Sequence, residues 1–130
     1  MNLEICIDVP DLAEGVRFFG EAFGFSKVGE PYPGVAFLEA EGAKITLLEK
    51  REGTNPAPGA PAPRRYARHW TPVHLDFHVD DLDAALERAV RAGAVNERVL
   101  RNPEHGSLAI CADPFGHGFC LLERRKRPER

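Results

Sequence analysis

The strongest constraint in this sequence is that its opening pattern occurs twice. From Leu3 to Val9, apolar and polar residues alternate, and the alternation returns from Val73 to Val79. Each run is followed by an aspartate and then by apolar residues at helical spacing, ending at a glycine. Alternation predicts a strand, and the helical spacing predicts an amphipathic helix. The chain therefore carries two copies of one strand–helix unit.

Three further extended segments follow each helix. In the first copy they cover 26–29, 35–40 and 44–48, and in the second copy 95–100, 106–112 and 118–123. The closing strands also match, since both end in Leu-Leu-Glu. The order β-α-β-β-β thus occurs twice. A helix buries its apolar stripe against a sheet, so the fold class is α+β, with two βαβββ repeats that form curved mixed sheets.

The segment between the copies has a different composition. Residues 51–64 contain four prolines and two glycines, which excludes a helix or a central strand. We interpret this segment as a linker or loop. The predicted organisation is one domain over 1–130, with repeat one at 1–50, the linker at 51–69 and repeat two at 70–124.

Composition limits the partners. The chain has 43% hydrophobic and 28% charged residues and a net charge of −3. The basic run at 124–127 is the only one in the chain, and we expect a solvated tail there rather than a nucleic-acid site. No apolar stretch reaches the length of a membrane span, and no signal peptide is expected. Three cysteines without zinc-finger spacing predict reduced thiols in a cytoplasmic protein.

The polar faces of the two opening strands are the first candidate site. Alternation places Glu4, Cys6 and Asp8 on one such face, and His74, Asp76 and His78 on the equivalent face of the repeat. Solvent exposure alone would explain polar residues there. Curved sheets also form concave surfaces that hold ligands. We expect the second arrangement, with Glu4 and His74 at the bottom of the largest pocket.

Four segments give the chain a family resemblance. They are Ile7–Leu12, Arg17–Phe25, His74–Leu82 and Asp113–Phe119, in that order along the doubled unit. Together they resemble the vicinal oxygen chelate superfamily, which includes glyoxalases, bleomycin-resistance proteins and extradiol dioxygenases. The resemblance covers nearly the whole chain. It implies the glyoxalase/bleomycin-resistance fold and a homodimer.

The resemblance also implies where a metal would bind. In metal-dependent members the ligands come from the first and last strand of each unit, which are Glu4, Thr46, His74 and Cys120 here. Family enzymes usually place His or Glu there, so Thr46 and Cys120 depart from the pattern. We therefore expect no catalytic metal. The alternative is a divalent ion, Zn, Ni, Mn or Fe, held by Glu4, His74 and Cys120.

These observations leave three functions open. The first is a metal-free small-molecule-binding protein whose cavity uses Glu4, Thr46, His74, Asp76 and Cys120, with Phe37, Trp70 and Phe115 as apolar contacts. The second, which is the alternative to the first, is a metal-dependent lyase, isomerase or dioxygenase acting on a substrate with vicinal oxygens. The third is a module without ligand. The sequence names no catalytic residue, so whether the chain is an enzyme stays undecided.

Overall fold

The computed structural model describes residues 1–124, which divide into two compact units, with the boundary in the chain between Ala67 and Arg68. The first unit contains β1 (Cys6–Val9), α1 (Leu12–Phe23), β2 (Ser26–Tyr32), β3 (Val35–Ala40) and β4 (Ala43–Glu49). Its four strands form one sheet in the order β1-β4-β3-β2. β1 runs parallel to β4, and the other neighbours are antiparallel, so the sheet is mixed.

The second unit repeats this plan. It contains β5 (Leu75–Val79), α2 (Leu82–Ala92), β6 (Val95–Leu100), β7 (Ser107–Ala112) and β8 (Gly118–Glu123). The strand order is β5-β8-β7-β6, again with one parallel pair, β5 with β8. The predicted α+β class with two βαβββ repeats and mixed sheets is confirmed.

Both helices begin in the same way. Asp11 and Asp81 are extended N-cap residues whose side chains accept hydrogen bonds from the backbone three residues later. A glutamate from the last strand of each sheet adds a second acceptor. The Glu49 carboxylate accepts the Leu12 N–H at 2.8 Å, and the Glu123 carboxylate accepts the Leu82 N–H at 2.7 Å. The matching ends of β4 and β8 therefore fix the starts of α1 and α2.

Each helix covers one face of its own sheet. α1 packs on β3 and β4, and α2 packs on β7 and β8. The buried core of the first unit includes Phe18, Leu38 and Leu47, and that of the second unit includes Leu82 and Leu121. The opposite face of each sheet carries no helix of its own unit, and the alternating polar residues of β1 and β5 project there.

Several boundaries differ from the sequence expectation. The opening strands begin at Cys6 and Leu75 rather than near Leu3 and Val73, which are 85% and 78% exposed. Alternation detects an amphipathic segment, but a strand ends where its partner stops pairing, and the Thr46 N–H to Ile5 carbonyl bond lies at that limit. β2 runs on past Gly29 to Tyr32 through two register shifts.

The proline-rich segment 51–64 folds back on the first unit. Its end is closed by two backbone hydrogen bonds, Gly53 N–H to the Arg64 carbonyl and Arg64 N–H to the Thr54 carbonyl, both 2.8 Å. The half-buried Arg64 guanidinium also donates to the Asp8 carboxylate of β1 at 2.8 Å. The segment is thus a closed loop tied to the first sheet.

The expected solvated tail at 124–127 falls outside the described residues from Arg125 onward. Neither α1 nor α2 is long and apolar enough to cross a bilayer, and no other helix occurs among residues 1–124.

Candidate functional site

Three potential ligand residues meet on the helix-free face of the second unit. Asp76 of β5 lies beside Cys120 of β8 in the parallel register, and His74 immediately precedes β5. The distance from His74 Nε2 to Asp76 Oδ1 is 3.2 Å. One imidazole nitrogen, one carboxylate oxygen and the thiol sulfur all lie within 4.8 Å of one another. The sheet register sets the spacing of Asp76 and Cys120, and the segment leading into β5 brings His74 to them.

The Cys120 thiol is held in its protonated form. Burial raises its pKa, as do the charge of Asp76 and a hydrogen bond to that carboxylate, while the Arg68 guanidinium acts in the opposite direction. The thiol therefore donates its proton toward Asp76. A protonated thiol is a poor nucleophile, so these three residues do not form an activated-cysteine site.

Arg68 forms one wall beside this cluster. Its guanidinium makes a two-pronged ion pair with Glu97, at 2.9 and 3.1 Å, and also donates to the His69 carbonyl at 2.7 Å. It lies directly over Gly118, where an added Cβ would come within 2.8 Å of Nη2. A side chain at position 118 would therefore displace Arg68.

A cleft of about 170 Å³ opens at this cluster. Its lining includes Trp70, His74, Ile110 and Cys120, together with Arg68. Trp70 is 81% exposed, which is unusual for so large an apolar ring. The cleft thus combines an exposed aromatic face with a guanidinium held in an ion pair with Glu97, an arrangement suited to a small aromatic or amphiphilic molecule.

The equivalent face of the first unit has different chemistry. Thr46 is buried, and its hydroxyl donates to Glu4 Oε1 at 2.8 Å. Burial, together with the Glu4 charge and a hydrogen bond to Glu4, raises the pKa of the Cys6 thiol. A cleft of about 270 Å³ lies here, lined by Glu4, Thr46 and Phe37 among others.

The two registers show which residues correspond. Cys6 pairs with Thr46 as Asp76 pairs with Cys120, and Val9 pairs with Glu49 as Val79 pairs with Glu123. The triad Glu4, Cys6 and Thr46 therefore occupies the positions that His74, Asp76 and Cys120 occupy in the second unit. The folds agree while the side chains at all three positions differ.

These contacts test whether the residues at the four family positions suit a metal. Thr46 offers a neutral hydroxyl whose proton is already directed to Glu4. His74 and Cys120 are good donors for a divalent ion, and Asp76 supplies the third donor next to them. Within residues 1–124, His74, Asp76 and Cys120 are the one group of three such donors. The sequence placed Asp76 in the cavity but not among the metal ligands. Its position two residues after His74 was the available signal.

Two further sequence expectations concern the clefts, namely the positions of Glu4 and His74 and the expected apolar contacts. Glu4 and His74 are exposed within their own units, where Glu4 lines the cleft of the first unit and His74 lines the cleft of the second. That both lie at the bottom of the largest pocket stays a prediction. Phe115 is buried at 6% exposure in the turn after β7 and lines neither small cleft, whereas Phe37 and Trp70 do.

The turn that contains Phe115 is built around Asp113. Its carboxylate accepts the backbone N–H groups of Phe115 and His117, at 2.9 and 3.0 Å, and contacts His117 Nδ1 at 2.7 Å. All three contacts are local, so Asp113 and His117 stabilise the turn before β8.

Comparison with protein families identifies the class. Residues 4–122 match the model of the glyoxalase-like domain. The chain therefore belongs to the glyoxalase-like family of the vicinal oxygen chelate superfamily, as the resemblance implied.

Solved structures share this fold. A fosfomycin resistance protein, FosX, from Listeria monocytogenes, in complex with Mn(II) and 1S,2S-dihydroxypropylphosphonic acid, is 19% identical, with a TM-score of 0.70 over 92% of this chain and 86% of that chain. Lactoylglutathione lyase from Agrobacterium tumefaciens is 19% identical, with a TM-score of 0.64 over 95% and 92%. A glyoxalase-related enzyme from Fulvimarina pelagi is 22% identical, with a TM-score of 0.69 over 95% and 89%.

Sequence relatives extend the comparison to mycobacteria. Uncharacterized proteins of Mycobacterium bovis and Mycobacterium tuberculosis are each 29% identical to this chain over 120 residues. The match covers 87% of this chain, with 76% and 68% of the respective relatives.

Proposed function

We propose that this chain is a small-molecule-binding protein of the glyoxalase/bleomycin-resistance type, which holds its ligand against the helix-free sheet faces without a catalytic metal at the four family positions. The observation that carries the proposal is the cleft of the second unit, where the exposed Trp70 ring lies near a guanidinium fixed by Glu97. An aromatic or amphiphilic anion would stack on the ring and pair with Arg68.

Preorganisation supports this proposal. The ion pair with Glu97 and the close approach of Gly118 hold Arg68 before any ligand arrives, so little side-chain freedom is lost on binding. In the first unit, Phe37 and Glu4 line one cleft, so an aromatic ring there accompanies a charge of the opposite sign. Glu4, Thr46, His74, Asp76 and Cys120 are the residues that we propose for contact with the ligand.

Trp70 provides a local test because it is the one tryptophan in the chain. The probe is 1-anilinonaphthalene-8-sulfonate, an amphiphilic aromatic anion, followed through its own emission and through quenching of Trp70. We expect binding by the folded protein, weakened about tenfold or more in Arg68→Ala, since a charged hydrogen bond contributes about 1.5–3 kcal/mol. His74→Ala should also weaken binding and leave the melting temperature nearly unchanged.

Arg101→Ala is the matched control, because Arg101 also pairs with a carboxylate, Asp83, but lines neither small cleft. Equal loss of binding in Arg68→Ala and Arg101→Ala would show a nonspecific charge effect and would contradict the proposal. Phe77→Ala reports on folding, because Phe77 packs edge-on against the buried Phe119. If His74→Ala destabilised the fold as much as Phe77→Ala and left binding intact, the faces would be wrongly assigned.

A second candidate function is a metal-dependent lyase, isomerase or dioxygenase acting on a substrate with vicinal oxygens. The meeting of His74, Asp76 and Cys120 within 4.8 Å favours it, since three protein ligands with an open position make a catalytic metal site. FosX from Listeria monocytogenes, which shares the fold, is in complex with Mn(II). A catalytic metal would polarise paired substrate oxygens.

We also propose a homodimer in the cytoplasm. β2 and β6 are each one of the two edge strands of their sheets, and they expose apolar residues, including Val28, Tyr32 and Val95. Exposed apolar edges are surfaces that a second copy would cover. All three cysteines are free, which is consistent with a reducing compartment.

A further inference from the structure

We propose that His74, Asp76 and Cys120 form a binding site for a thiophilic divalent ion, Zn²⁺ in preference to Mn²⁺, within the second unit. This site goes beyond the proposed ligand-binding function. It shares two positions with the ligand set that the family resemblance implies, but takes its third ligand from Asp76 rather than from Glu4 or Thr46.

The geometry is close to what zinc requires. Tetrahedral bonds of about 2.0–2.3 Å place neighbouring ligand atoms roughly 3.3–3.8 Å apart. His74 Nε2 and Asp76 Oδ1 are already 3.2 Å apart, and all three donor atoms lie within 4.8 Å of one another. His74 and Asp76 retain exposed side chains, so small rotamer shifts suffice to close the set around an ion.

The donor chemistry favours zinc. The set contains one imidazole nitrogen, one carboxylate oxygen and one thiol, and a thiolate selects zinc over harder ions such as manganese. Binding replaces the thiol proton by the metal, so the ion's two positive charges balance the two negative charges of the carboxylate and thiolate.

The surroundings leave room for a further ligand. The 170 Å³ cleft adjoins Cys120 and His74, with Trp70 and Ile110 also in its lining. A water molecule or a small anion fits there as the fourth ligand. The first unit provides the contrast, because its corresponding residues are Glu4, Cys6 and Thr46, which include no imidazole.

Metal titration of the reduced, chelator-treated full chain tests this inference. We expect one Co²⁺ per chain, with a thiolate-to-cobalt charge-transfer band in the near ultraviolet that Zn²⁺ removes by competition. Mn²⁺ should not compete at equal concentration. Cys120→Ser should abolish the band, and Asp76→Asn should weaken Zn²⁺ binding more than about tenfold, since even an indirect partner of a ligand contributes about 10–100-fold.

Two variants separate this set from the alternatives. Cys6→Ser removes the exposed thiol of the first unit and should leave the band and the Zn²⁺ affinity unchanged. Glu4→Gln should also leave Zn²⁺ affinity unchanged. If Glu4→Gln weakened Zn²⁺ binding while Asp76→Asn did not, the ligands would be Glu4, His74 and Cys120, and the inference would be overturned. Absence of the charge-transfer band in the folded wild-type protein would also overturn it. Melting curves of each variant establish that it is folded.

Discussion

At the scale of single residues, equivalent positions have separate chemical roles. Thr46 and Cys120 occupy matching positions in β4 and β8. The buried Thr46 donates a hydrogen bond to Glu4, whereas Cys120 forms a hydrogen bond with Asp76. The sheet fixes where each side chain starts, and the side chain alone decides what it can bind. Candidate sites can therefore be located by repeat, but their chemistry must be assigned residue by residue.

Cys111 gives a prediction at this scale. Its side chain is fully buried. This burial is the main reason why the pKa of the thiol rises from 9.0 to about 11. The neutral thiol is favoured in the folded state, so this contribution to stability is complete below pH 9 and is lost as the pH rises through 11. Between pH 8 and pH 10.5 the wild type should lose about 2 kcal/mol more stability than Cys111→Ala.

Urea unfolding at pH 8 and at pH 10.5 measures this difference. Other groups titrate in the same range, and comparing the two proteins cancels their contribution. Parallel loss of stability in wild type and Cys111→Ala would contradict the assignment.

At the scale of elements, each helix depends on a glutamate at the end of the last strand of its unit. Glu123 accepts the N–H of Leu82, a residue with no exposed surface, and Glu49 does the same for Leu12. These bonds join the start of each helix to the strand paired with β1 or β5. They give a structural role to the glutamate that ends both closing strands.

We predict that Glu123→Ala lowers the free energy of unfolding by about 1–3 kcal/mol, because a buried N–H loses its acceptor. Glu123→Gln retains an acceptor oxygen and should lose less. Chemical denaturation at neutral pH checks both variants, with Glu87→Ala as the control, since Glu87 pairs on the exposed side of α2. Equal losses in the alanine and glutamine variants would show that charge, rather than the hydrogen bond, is responsible.

At the scale of the whole molecule, the sequence predicted the fold well and the site less completely. The doubled alternation predicted both units, because local amphipathic patterns determine strands and helices directly. The strand starts were wrong because the apolar alternation of Leu3 and Val73 extends beyond the partner strands. The Arg68–Gly118 contact was not predicted either, since residues far apart in the chain meet there and no local pattern records it.

Assembly gives the prediction at this scale. We expect sedimentation equilibrium at micromolar concentration to show a species of two 14.4 kDa chains. Burial of the apolar residues on the edge strands supplies the stabilisation. A purely monomeric mass across the micromolar range would contradict the homodimer.

The matching registers have a consequence for protein engineering. Glu4, Cys6 and Thr46 correspond to His74, Asp76 and Cys120. The first unit therefore provides the same backbone positions with different side chains. The substitutions Glu4→His, Cys6→Asp and Thr46→Cys would build the imidazole–carboxylate–thiol cluster on a backbone of the same topology. Comparing the two units within one polypeptide would thus separate the contribution of the backbone from that of the three side chains.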